Sequence, residues 1–296
     1  MNIPFIKYRR IYYILSGAMI LSSILFLIFF GLKFGIDFTG GSIMEVEFLE
    51  SRLSNEEIQN KLADLNLGQI SIQSTGEKGV ILIMRDLDEP THQEVLKKIG
   101  NVQEHRFESI GPVIGRELRQ KTGTFASLAL LGIIFYIAFA FRNISWPLPA
   151  WQYGLITALV ALFHDLLIPL GIFAVLGKLY QVQITIPIVV GLLTVLGYSV
   201  HDTIIVFDRV RENLLKGKEK NFEDTVNMSL NQTLLRSVST SLTVLFVLFA
   251  IFIFGGESLR YFSLGLILGV SFGTYSSIFI ASPLLVSLYL FLQRRG

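Results

Sequence analysis

Asp202 is an acid near the centre of Gly197-Tyr198-Ser199-Val200-His201-Asp202-Thr203-Ile204-Ile205-Val206-Phe207, the far end of a long apolar stretch. An unpaired carboxylate in hydrocarbon is expensive enough that it marks an ion path or a buried partner. The chemistry open to it is the binding and release of a proton, or the holding of a counter-charge. At helical spacing, Gly191, Thr194, Tyr198 and Asp202 recur every three or four residues and share one face, with His201 beside it. In the next apolar stretch Gln232, Arg236, Thr240 and Thr243 share a similar face, so a cation for Asp202 is available within the chain. A third stretch carries His164 and Asp165 close to its centre.

Each of these residues has a plainer reading. Arg236 either pairs with Asp202 or snorkels to the headgroups as an ordinary basic flank. Asp202 is a switchable acid or one locked by hydrogen bonds. His164 and Asp165 either join its network or form a helix-packing pair bonded to neighbouring Ser or Thr. Tyr198 reads as a packing and hydrogen-bonding neighbour. Gly191, Gly197, Gly265, Gly269 and Gly273 read as points of close helix contact.

The elements that must position these groups are membrane helices. With 52% hydrophobic and 16% charged residues, and 24 Phe in 296 residues, the chain has more apolar surface than a soluble domain can bury. The absence of Cys excludes disulfides, thiolate metal sites and thiol nucleophiles. A net charge of +2, scattered along the chain, does not point to nucleic acid. Six stretches are long enough to cross a bilayer as helices: Tyr12 to Leu32, Thr124 to Phe141, Tyr153 to Leu176, Ile184 to Phe207, Ser237 to Phe254 and Tyr261 to Leu292. The first is too long for a signal peptide and lacks a small-x-small cleavage site, so a retained anchor is expected. Lys7, Arg9, Arg10, Arg142, Arg209, Arg211, Lys216, Lys218, Lys220, Arg236, Arg294 and Arg295 all flank spans on one side, against Lys178 and Arg260 in the opposite short loops. Both termini are therefore expected in the cytoplasm and residues 33–123 outside it. Trp146, Trp151 and Tyr153 sit where an interfacial aromatic belt belongs.

The chain thus divides into 1–32, an extracytoplasmic segment 33–123, and 124–296 with a cytoplasmic loop over 209–236. Within the extracytoplasmic segment, Ser42 to Phe48 alternates as a half-buried strand does, and Ser54-x-x-Glu57 opens a capped helix. Strands over Gln69 to Ser74 and Val80 to Met84, a helix over Thr91 to Ile99 and a strand from Val102 to Ser109 follow. That order is the ferredoxin-like plan. His92 and His105 read as surface or edge positions without chemistry. In the basic loop, Phe222, Val226, Leu230 and Thr233 recur at near-helical spacing, which predicts an interfacial helix over Asn221 to Leu235 for anionic lipid or a cytoplasmic partner.

Three motifs then carry a resemblance. Phe34-Gly35-Ile36-Asp37-Phe38-Thr39-Gly40-Gly41 follows the first span, Ile110-Gly111-Pro112-Val113-Ile114-Gly115 precedes the second, and Gly197 runs through to Phe207-Asp208-Arg209-Val210-Arg211-Glu212-Asn213. Their order and places resemble the SecF family, the smaller half of the bacterial SecD-SecF export complex. The resemblance implies one half of a resistance-nodulation-division transporter in the cytoplasmic membrane, with SecD supplying six further helices and another acid. It implies proton-driven promotion of an unfolded polypeptide emerging from the SecYEG channel, with no cofactor and no bond made or broken. The acid of the family's Tyr-Ser-x-x-Asp segment falls on Asp202 and the Arg of its Gln-Thr-Leu-x-Arg segment on Arg236, its proton-path residues. His201 stands where the family commonly has Asn. The runner-up readings are a proton-driven efflux half-transporter and a passive structural subunit. An intramembrane aspartyl protease fits poorly, because the contexts Tyr-Asp and Gly-x-Gly-Asp are missing.

Overall fold

The computed structural model describes residues 3–140, 156–217 and 221–294. Trp146, Trp151, Tyr153, Arg142, Lys218, Lys220 and Arg295 lie outside the described residues. Two compact units emerge: 1–32 with 126–182 and 187–296, and 33–125 with 183–186.

The first unit is helical. After a short 3-10 turn at Ile6–Tyr8, α1 spans Arg9–Phe30. Among the described residues, six helical segments are long and apolar enough to cross a membrane: Ile6–Phe30, Pro112–Phe139, Thr157–Tyr180, Ile186–Leu215, Phe222–Phe254 and Leu259–Gln293. Small residues set how closely these helices pack, as they do where lipid removes any hydrophobic drive between them. A Cβ on Gly171 would lie 2.4 Å from the Ser23 Cβ, and one on Gly269 would lie 2.3 Å from a Val195 methyl. Gly273 is similarly tight against Ser199 at 2.9 Å, whereas a Cβ on Gly197 would meet nothing within 4 Å.

The second unit folds on α2 (Ile36–Thr39), β1 (Gly41–Phe48), α3 (Asn55–Leu62), β2 (Ser71–Thr75), β3 (Gly79–Met84), α4 (Glu89–Ile99) and β4 (Val102–Ile110). The sheet order is β2-β3-β1-β4 and all neighbours are antiparallel. That is the ferredoxin-like arrangement expected from the order of elements. Alternation puts Met44, Val46 and Phe48 of β1 on the face that Ile58, Leu62, Val95 and Ile99 of the two helices cover. The expected Ser54–Glu57 capping box closes reciprocally: the Glu57 amide donates to the Ser54 hydroxyl and the Ser54 amide to the Glu57 carboxylate. Gly40 turns the chain at φ +74°, and a Cβ there would lie 2.9 Å from the Pro112 Cα. One on Gly115 would lie 2.7 Å from the Gly40 amide nitrogen. The first two sequence motifs are therefore two faces of one close backbone contact.

Three expectations need correction. The helix α5 spans Pro112–Ala140 rather than starting at Thr124. Its first turns are charged, and a Lys121–Glu117 pair at 2.7 Å supports them, so hydropathy alone misses the start. The basic stretch 209–236 is helical over much of its length, because α7 (Ile186–Leu215) and α8 (Phe222–Phe254) extend into it. No separate interfacial helix forms: Phe222, Val226 and Leu230 are the first turns of α8 and pack into the bundle core with Phe207, Val210, Leu285 and Val286. The last span runs continuously as expected, with α9 (Gly256–Ser276) passing through a π-helical stretch at Ser277–Ala281 into α10 (Ser282–Gln293). His92 is buried, stacked on Phe107 at 3.7 Å and 2.8 Å from the Glu104 carboxylate, whereas His105 lies exposed on β4 beside Glu47.

These contacts predict that Gly171→Ala lowers the stability of the detergent-solubilised chain by about 1–3 kcal/mol through overpacking against Ser23. Gly197→Ala is expected to stay within about 0.5 kcal/mol of wild type. Thermal unfolding of the two variants side by side checks the contrast.

Candidate functional site

The polar groups of α7 meet those of α6 (Thr157–Tyr180), α8 and α9 in a seam inside the helical unit. On α7, Ser199, Asp202 and Thr203 are spaced three and four apart and are all buried. The run Gly273-Thr274-Tyr275-Ser276-Ser277 on α9 supplies hydroxyls at a place where the missing Gly273 side chain lets α7 approach. The π-helical stretch begins at Ser277, whose hydroxyl donates to the Gly273 carbonyl at 3.0 Å and lies 2.8 Å from the Thr203 hydroxyl. Such interruptions recur at functional sites because they shift one helical face relative to the next.

Two carboxylates in this seam are held very differently. Asp165 is 1% exposed and fully engaged. Its Oδ1 lies 2.9 Å from the His164 Nδ1, and its Oδ2 accepts from the Ser276 hydroxyl at 2.7 Å and from the Ser199 hydroxyl. His164 is itself wholly buried and stacked on Tyr275, and among the described residues its Nε2 has no hydrogen-bond partner. Asp202 is 2% exposed, yet among the described residues it accepts a single long bond, from the Thr274 hydroxyl at 3.4 Å. Thr274 is committed elsewhere, at 2.5 Å from the Ser241 hydroxyl, which also lies 3.3 Å from the Tyr198 hydroxyl. The Ser237 hydroxyl lies near Asp202 but outside hydrogen-bonding geometry. Asp202 is thus the loosely held acid and Asp165 the locked one. Among the described residues, no hydrogen bond joins the two sets.

The other expected residues divide. Tyr198 belongs to the Asp202 set. Thr194 is exposed and donates to the Val190 carbonyl at 2.8 Å. Thr240 is exposed and donates to the Arg236 carbonyl. Arg236 is itself exposed and, among the described residues, makes no ion pair with Asp202. The reason is rotational: Ser229, Thr233, Ser237 and Ser241 form the inward stripe of α8, and Arg236 and Thr240 lie one residue, about 100° of turn, away from it. His201 is exposed and lines a cavity of about 340 Å³ with Ala129, Gly132, Ile133, Tyr136 and Gly197. Sequence reasoning missed Ser199, Thr274, Ser241 and Ser276. The dense small-polar run on α9 was the signal for two of them.

This difference in engagement has a measurable consequence. Asp165→Ala strands three donors where water is absent and is expected to cost about 2–4 kcal/mol. Asp202→Ala, losing one long bond, is expected to cost under about 1.5 kcal/mol. Unfolding of both variants in detergent would reverse the expectation if Asp202→Ala were the less stable.

Residues 91–290 match the family described as protein export membrane protein SecD/SecF, C-terminal, and residues 25–48 match the SecD/SecF GG motif. The chain is 43% identical to the protein translocase subunit SecF of Thermobaculum terrenum, with 96% of this chain and 93% of that one aligned. It is 37% identical to the SecF subunit of Anaerolinea thermophila, over 94% of this chain and 91% of the relative. Among solved structures, it is similar to SecDF of Thermus thermophilus, a translocon-associated membrane protein, with a TM-score of 0.85 and 29% identity. SecDF in a super-membrane-facing form matches with a TM-score of 0.64 and 27% identity. The alignments take in 97% and 100% of this chain but only 39% and 40% of those longer chains. A multi-pass membrane protein with these motifs, this fold and these relatives belongs to the SecF family of protein translocase subunits.

Proposed function

We propose that this protein works with a SecD partner to turn proton entry into forward movement of polypeptides leaving the SecYEG channel. The observation that carries the reading is the uneven treatment of the two buried acids. Asp165 has both oxygens engaged by donors from three helices, whereas Asp202, buried with one long bond from Thr274, has carboxylate oxygens left open for a proton. Asp202 is therefore the group that binds and releases the driving proton. Tyr198, Ser241 and Thr274 re-form their bonds around whichever form it takes.

The remaining residues take supporting parts. Asp165 and His164 hold α6, α7 and α9 in register, so that a change at Asp202 moves packed helices rather than one side chain. Arg236, on the outward face of α8, supplies the cation that faces the acid contributed by SecD. His201 borders the cavity beside α5 and adds a titratable group next to the site. The SecDF chains, of which this chain matches about two fifths, favour a partner that completes the transporter. The basic flanks of the spans favour cytoplasmic termini and an extracytoplasmic ferredoxin-like unit, with anionic lipid at the cytoplasmic face of the inner membrane. The protein makes and breaks no covalent bond in this cycle and is not an enzyme.

The driving force suffices in magnitude. A proton moving through 100 mV releases about 2.3 kcal/mol, and each pH unit adds about 1.4 kcal/mol. Inverting a two-state population from 1:99 to 99:1 takes about 5.5 kcal/mol, so more than one proton or a smaller bias serves each step. Reconstituted with SecD and the channel, Asp202→Asn is expected to export at the rate wild type shows without a gradient and to gain nothing when one is imposed. Undiminished stimulation by the gradient in that variant would sink the proposal.

A further inference from the structure

The glycine-rich turn after α1 contains an acid that the proton site does not use. Asp37 lies on the four-residue helix α2, half-buried, and its Oδ2 accepts the Ile186 backbone N–H at 2.8 Å. Ile186 is the first residue of α7, the helix that carries Asp202 sixteen residues, or about 24 Å, further on. A helix start presents amides with no partner inside the helix, and a carboxylate there is favoured by both the hydrogen bond and the helix dipole. No acid of α7 itself serves this purpose in its first turn, and Pro187 removes the next amide.

The bond to Asp37 is one of three. The Ile184 amide donates to the Lys33 carbonyl at 2.6 Å, and the Gly35 amide donates to the Ile184 carbonyl at 2.8 Å, forming a short parallel bridge with Phe34. A Cβ on Gly35 would lie 3.2 Å from the Ile184 carbonyl oxygen, so a side chain there would push this backbone contact apart by a few tenths of an ångström. Six residues after Gly35 the chain enters β1 at Gly41, where a Cβ would lie 2.7 Å from the Met84 carbonyl of β3. The segment from Lys33 to Gly41 therefore grips the start of α7 at one end and the centre of the sheet at the other. Residues 183–186 accordingly cluster with the ferredoxin-like unit, although α7 continues into the helical one.

We infer that Asp37 is a positioning residue for energy coupling: its bond to the first amide of α7 transmits displacement of that helix to the extracytoplasmic sheet. The inference rests on the reading that α7 moves during the proton cycle. The two backbone bonds align the strands, and the carboxylate supplies the charged link that resists being pulled away from the helix end. A brace that only stabilised the fold would serve equally well if α7 never moved.

The test uses the complex with SecD in proteoliposomes and spin labels at Glu50→Cys and Lys178→Cys, both exposed sites in a chain without native cysteine. Wild type is expected to show a change in label separation when a proton gradient is imposed. In Asp37→Ala the resting separation stays, the gradient-evoked change disappears, and gradient-stimulated export falls by about tenfold or more, as loss of one charged hydrogen bond implies. Ile186→Pro deletes the donor instead, at a helix position that accepts proline, and is expected to reproduce this uncoupling. Asp37→Asn keeps an acceptor and is expected to retain part of the response, which holds the test open if the alanine variant does not assemble. Normal export with a normal gradient-evoked change in Asp37→Ala or Ile186→Pro overturns the inference. So does an absent change in wild type, or an equally altered resting separation, which marks a structural brace. If Asp202→Asn exports like wild type, the proton reading fails separately, and the Asp37 variants are still judged against the wild-type change.

Discussion

An ionised carboxylate has no cheap place in hydrocarbon, and the architecture of the helical unit follows from that constraint. The chain places two acids in one seam and treats them in opposite ways. Asp165 receives a ring nitrogen and two hydroxyls drawn from three helices, a dense set of donors for a membrane interior. Asp202 receives one hydroxyl at 3.4 Å that is already shared with Ser241. Full satisfaction makes a rigid joint, and partial satisfaction leaves a group whose lowest state depends on whether a proton is present. The proposed proton response, carried out while the helices stay assembled, calls for one of each.

Supporting such a seam requires helices close enough for short hydroxyls to reach across. Gly273 and Gly269 let α9 come against α7 at Ser199 and Val195, and Gly171 lets α6 come against α1 at Ser23. Where α9 passes into the π-helical stretch at Ser277–Ala281, Ser276 bonds Asp165 while the next residue, Ser277, meets Thr203. The same economy of small residues operates in the unit that carries the sheet. Gly35, Gly40 and Gly115 bring backbones together where the starts of α5 and α7 meet the turn into the sheet. Asp202 lies on α7, and the glycine-rich turn bonds to Ile184 and to Ile186 at the start of that helix.

Much of this was legible in the sequence, for reasons that differ from part to part. Span number follows from bilayer thickness, which demands a fixed length of apolar chain. The ferredoxin-like order follows from strand alternation and from Ser54 and Glu57, whose capping chemistry is local. The rotation of each helix about its axis was not legible, because a helix bordered by lipid and by other helices is apolar on both sides and its periodicity names no inward face. Hence Arg236 and Thr240 read as well as Ser237 and Ser241, although only the latter pair turns inward. The role of Phe222, Val226 and Leu230 was misread for the same reason: an apolar stripe fits a lipid surface and a helix core equally. His92 went unnoticed as a buried group because its stacking partner Phe107 is a strand away in sequence.

Infrared difference spectroscopy across pH, on the complex with SecD, tests most directly which acid exchanges the proton. A protonated-carboxyl band that comes and goes with pH, persists in Asp165→Asn and vanishes in Asp202→Asn is the expected result. A band that survives Asp202→Asn and disappears with Asp165→Asn would contradict the division of labour between the two acids.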